Sequence, residues 1–147
     1  MNRVLGPYLL LFFFLVSLCL AGEPGQERLP QRLAMFDYNE TEVQAFLNII
    51  QSNVQTDNAE VLADFVDYPF LFSSKTKAKD KKAFIADYKD FLDPRWKRAV
   101  LGQRYADLFV NWKGIMVHRG EIWFGRVCKN KDCSEQEIRI IAFNPWF

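Results

Sequence analysis

The stretch Trp112 to Val127, WKGIMVHRGEIWFGRV, constrains this chain more than any other. Two alternating runs, Gly114–His118 and Glu121–Val127, flank Arg119-Gly120. A tight hairpin turn needs positive φ, and Gly120 stands in the second turn place, where glycine supplies it. The stretch therefore predicts a β-hairpin. The chain before it reads as short helices able to cover one face of a sheet built on it, and the chain after it reads as one more strand.

Alternation assigns faces to the strands. Ile115 and Val117 point one way, Met116 and His118 the other. On the partner strand Ile122 and Phe124 oppose Glu121, Trp123 and Val127. In the last strand Ile138, Ile140 and Ala142 alternate with Arg139, Ile141 and Phe143. Both faces carry large apolar groups, so both need cover from helices, from curvature or from another chain. That need is the hint of a homodimer through the sheet face.

Helical periods dominate earlier in the chain. Residues 22–38 carry Pro and Gly among charges and read as a mobile lead-in. Structure is expected from Asn39, where Asn39 and Glu42 resemble a capping box ahead of Val43, Phe46, Leu47, Ile50 and Val54 at helical spacing. Asn39-Glu40-Thr41 is also a glycosylation sequon, and the cap is the favoured reading. Asp57 and Glu60 repeat the capping pattern for a shorter helix with Val61, Leu62, Phe65 and Val66 inside. Asp67-Tyr68-Pro69 ends it, because the residue before proline is pushed out of helical geometry. Phe70-Leu71-Phe72 has the look of a buried strand. Lys75–Lys82 is strongly basic and reads as a solvated turn rather than an anion site. Asp80 caps a third helix with Phe84, Ile85, Tyr88, Phe91 and Leu92 on one face. Asp93-Pro94 starts a fourth, with Trp96, Ala99 and Val100 inside.

The 147 residues leave room for one domain, expected at 39–147, behind a leader. Residues 1–21 have the form of a cleaved secretory signal peptide: a basic start at Arg3, an apolar Val4–Leu20, and Cys19-Leu20-Ala21 before the cut. Leu18 disfavours lipid attachment at Cys19, and contact with a membrane is expected only through the signal. Losing Arg3 leaves 18 basic and 18 acidic residues, a formal charge of zero that disfavours nucleic acid as a partner. Cys128 and Cys133 then read as a disulfide formed in an oxidising compartment, periplasmic or secreted. No spacing of ligands suggests a metal, and no cofactor motif is present.

Helices followed by an antiparallel sheet make the class α+β. VLADFVDYPFLF, KKAFIADYKDFL, DLFVNWKGIMVHRGEIWF and IRIIAFN together resemble the nuclear transport factor 2-like superfamily, in particular its small exported bacterial members. Tyr68-Pro69 and the hairpin Gly114–Phe124 carry the match, which covers about Thr41 to Asn144. The resemblance implies a cone: helices packed into the concave side of a strongly curved sheet, with a pocket between them. Its members include isomerases, dehydratases, association domains and pocket modules of periplasmic cell-wall enzymes, so the fold alone says little about function.

Chemistry is thinly represented. His118 is the single histidine, and it reads as a strand-end residue before it reads as a pocket acid or base. Ser73, Ser74 and Ser134 stand in expected loops outside any nucleophile motif. The isomerase-like members of the superfamily use a carboxylate base beside a tyrosine, for which Asp64 or Asp67 with Tyr68 or Tyr88 are the candidates. Trp112, Trp123, Trp96 and Tyr68 are candidates for an aromatic-walled pocket, with plain core as the competing role. Glu121 is the most out-of-place charge, expected at a sheet edge or paired with Arg119, Arg126 or Arg139. The expectation is an exported, non-catalytic pocket or interaction protein of the bacterial envelope, serving an unknown small molecule or envelope protein. The alternatives are a small isomerase or dehydratase, and a protein-binding inhibitor or immunity-type factor.

Overall fold

The computed structural model describes residues 28–71 and 77–144. The expected signal sequence, the start of the expected lead-in, Phe72, Ser73, Ser74 and the first part of the basic run lie outside them. Among the described residues no helix is long and apolar enough to cross a membrane.

A helix, α1 (Leu29–Met35), stands within the stretch read as a lead-in, because Leu29 and Leu33 are both buried and fasten it to the core. In α2 (Glu40–Gln55) the Asn39 Oδ1 accepts the Glu42 N–H at 3.1 Å, and the apolar stripe Val43, Phe46, Leu47, Ile50 and Val54 is buried throughout. The next helix, α3 (Ala59–Asp64), is capped by Asn58 rather than Asp57. Val61, expected inside, is exposed, while Leu62 and Val66 are buried. Asp80 accepts the Ala83 N–H at 2.9 Å to open α4 (Lys81–Tyr88), and Asp93 with Pro94 opens α5 (Pro94–Leu101).

Two short strands, β1 (Phe70–Leu71) and β2 (Lys77–Ala78), pair with each other. The main sheet is β3 (Phe109–Asn111), β4 (Gly114–Val117), β5 (Ile122–Cys128) and β6 (Gln136–Phe143), all antiparallel and in sequence order. The α+β class stands; the cone does not. The sheet is flat and open, neither curved nor closed as the nuclear transport factor 2-like resemblance implied. Strands of three and four residues at one side are too short to wrap a layer of helices. The helices instead meet one face: Phe46 lies 5.2 Å from Phe124 between ring centroids, and Trp96 lies 5.4 Å from Phe143.

One register detail redirects the last strand. Trp123 pairs with Ala142 but Phe124 pairs with Ile140, so Ile141 is an extra residue in a bulge. A bulge inverts the in–out alternation beyond it. Phe143 therefore enters the core beside Ile138 and Ile140, and Ala142 turns to the other face.

Candidate functional site

The β4–β5 loop carries a polar cluster. The tight two-residue turn lies one hairpin earlier, at Trp112-Lys113, where Asn111 faces Gly114. The β4–β5 connection is wider, with Val117 facing Ile122 across residues 118–121. His118 and Gly120 both take positive φ there, 53° and 110°. A histidine in the left-handed region needs support from its surroundings. Glu121 provides it. Its carboxylate is buried, accepts the Arg119 backbone N–H at 2.7 Å, and lies 3.0 Å from His118 Nδ1, the donor of that pair. Glu121 is thus neither at an exposed edge nor paired with an arginine side chain.

Gln103 extends the cluster toward the helices. Its Oε1 accepts the His118 backbone N–H, and its own carbonyl accepts Gln51 Nε2 at 2.9 Å. Gln51 Nε2 also donates to the Val100 carbonyl at 3.0 Å, which ties α2 to the C-terminal end of α5. Gln51 and Gln103 were not legible as partners: glutamine at a helix face or in a loop carries no spacing signal. Together Gln51, Gln103, His118 and Glu121 hold the end of α5 against the hairpin loop.

The expected carboxylate–tyrosine pairs are placed otherwise. Asp64 is exposed at the end of α3 and ion-paired with Lys81. Asp67 is exposed too, with its backbone N–H donating to the Ile140 carbonyl at 2.9 Å. The Tyr68 hydroxyl turns back on α3 and donates to the Ala63 carbonyl at 3.0 Å. Burial, then the charges of Asp64 and Asp80, push its pKa up to about 12. Tyr88 is buried against Phe84 and Phe143, and its hydroxyl has no hydrogen-bond partner among the described residues. Burial raises its pKa further still. A tyrosine does meet a carboxylate elsewhere, where the Tyr105 hydroxyl reaches Glu40 Oε2 at 3.5 Å on the surface. Burial and the Glu40 charge raise the Tyr105 pKa.

The tryptophans are dispersed. Trp96 is in the core and donates its indole N–H to the Asn144 carbonyl at 3.1 Å. Trp123 is half-buried on the face away from the helices, and Trp112 is 80% exposed at the β3–β4 turn. Cross-strand pairing lines up Phe109, Met116, Trp123 and Ala142 on that outer face, one from each strand. A cleft of about 330 Å³ ends the row, lined by Lys113, Trp123, Ile141, Ala142 and Asn144.

Cys128 and Cys133 form the expected disulfide across the β5–β6 connection. Among the described residues no group of three or more His, Cys, Asp or Glu is placed to hold a metal ion. No family model matches this chain, and neither a curated protein nor a solved structure matches it.

Proposed function

We propose that this chain is an exported, non-catalytic interaction protein of the bacterial envelope that docks another polypeptide on the outer face of its sheet. The apolar row Phe109–Met116–Trp123–Ala142, together with Trp112, 80% exposed at the β3–β4 turn, carries the reading. Exposed aromatics beside a half-buried apolar strip are the usual material of a protein-binding surface. The Cys128–Cys133 bridge suits an oxidising compartment, periplasmic or extracellular. The experiment is site-specific photo-crosslinking in the exporting host, with the photoreactive amino acid at position 112 and a control at exposed Glu60 on α3. A discrete adduct from position 112 alone supports the reading, and its mass tells a second copy from a different protein. Equal or absent crosslinking at the two positions overturns it.

A second reading keeps the small isomerase or dehydratase, and one observation favours it: the contact between Tyr105 and Glu40. At 3.5 Å and in water the contact is weak, so this reading stands behind the first. Proton exchange at the α-carbon of small ketones or enoyl substrates, lost in Tyr105→Phe and in Glu40→Gln, would move it ahead.

A further inference from the structure

A second cleft, of about 440 Å³, opens between α1 and the segment that leads into β3. Arg28 and Arg32, one helical turn apart, form its basic wall, and Ala106, Leu108 and Phe109 stand opposite. The hydrogen bonds of Arg28 are made by its backbone, its N–H donating to Gln31 Oε1 at 3.1 Å and its carbonyl accepting from Gln31 and Arg32, and its guanidinium has no carboxylate partner among the described residues. Arg32 donates Nη2–H to the Leu108 carbonyl at 3.3 Å, which holds its head group across the cleft. Its Nε is buried with no hydrogen-bond partner among the described residues. By contrast Arg95, Arg104, Arg126 and Arg139 all pair with acids.

The acid on the cleft wall, Asp107, is already taken. Arg104 grips it through Nε and Nη2 at 2.6 and 2.9 Å, and that grip holds its carboxyl below the ordinary range. Among the described residues the cleft presents two guanidiniums without a carboxylate partner, one of them partly out of water, where charge acts over a lower effective dielectric. A guanidinium is the planar fork that matches an oxyanion. Phe109, 42% exposed, supplies an apolar wall for whatever carries that oxyanion.

We propose that the cleft between α1 and β3 binds a small organic oxyanion, a phosphoryl or carboxylate group on a short apolar body, through Arg28 and Arg32. The test is two-dimensional ¹⁵N NMR of the disulfide-bonded protein, following arginine Nε–H and backbone amide signals. The probes are phenyl phosphate, benzoate and inorganic phosphate. Saturable movement of the Arg32 Nε–H and Phe109 amide signals is expected with at least one probe. Arg28→Gln should weaken binding by about tenfold or more, as loss of a charge-assisted contact does. Arg98→Gln, exposed on α5, should leave it unchanged. Saturation by the phosphates alone assigns a phosphoryl ligand, and saturation by benzoate alone assigns a carboxylate. The proposal is overturned if no probe saturates below roughly 10 mM, or if Arg28→Gln and Arg32→Gln bind as the parent does. Arg28 is exposed, so its variant keeps the test valid even if Arg32→Gln fails to fold.

Discussion

Glu121 closes the hairpin loop by holding two groups at once: His118 Nδ1 at 3.0 Å and the Arg119 backbone N–H at 2.7 Å. The loop backbone, left-handed at His118, depends on that carboxylate. Glu121→Ala should lower unfolding free energy by about 1–2 kcal/mol, since it leaves the part-buried Arg119 amide without its acceptor. Glu121→Gln keeps one acceptor oxygen and should cost less. Urea unfolding of the two variants checks the order.

Phe143 packs edge-on to Trp96 and Phe70, at 5.4 and 5.5 Å between centroids. Phe143→Ala should cost about 3–5 kcal/mol, the range for deleting a buried ring. Ile141, the extra residue of the bulge, is half-buried, and Ile141→Ala should cost clearly less. Equal losses in chemical denaturation would contradict the register described.

Gly114 sits at φ 130°, and a Cβ there would lie 2.6 Å from the Phe124 carbonyl oxygen. Gly114→Ala should therefore destabilise by about 1–3 kcal/mol through strain in the backbone. The loss should appear as a lower thermal midpoint, together with faster amide exchange in β4.

The Tyr68 phenol ionises near 12 in the fold against 10.0 unperturbed, and Tyr88 shifts the same way. Between those values the folded state holds protons that the unfolded state has released, so stability falls as pH rises. Below pH 10 the contribution is fully present. Absorbance titration at 295 nm should show these two phenols ionising late, with denaturant midpoints declining only above about pH 10.

The Cys128–Cys133 bridge closes a loop of sequence separation five. Cross-linking so short a loop stabilises by about 2 kcal/mol on the chain-entropy estimate. Replacing both cysteines by serine should lower the thermal midpoint by several degrees for a domain of this size. The fold should persist, because β5 and β6 pair from Ile122–Phe143 to Cys128–Gln136 without the bridge.

What the sequence determined by itself is what local physics decides. The α2 stripe comes from a 3.6-residue period, the caps at Asn39, Asp80 and Asp93 from carboxylate or amide oxygens placed to accept a first-turn N–H, and the bridge from two close cysteines. Tertiary structure decided whatever depends on a distant partner. Leu29 and Leu33 read as part of a polar lead-in until the core supplies somewhere to bury them. One extra residue at Ile141 exchanged the faces of Ala142 and Phe143, a shift no alternation pattern can announce. Sheet curvature was borrowed from a family likeness, whereas it depends on strand length and cross-strand register. Glu121 read as misplaced because its partners, an imidazole and a backbone N–H, are brought to it only by the folded loop.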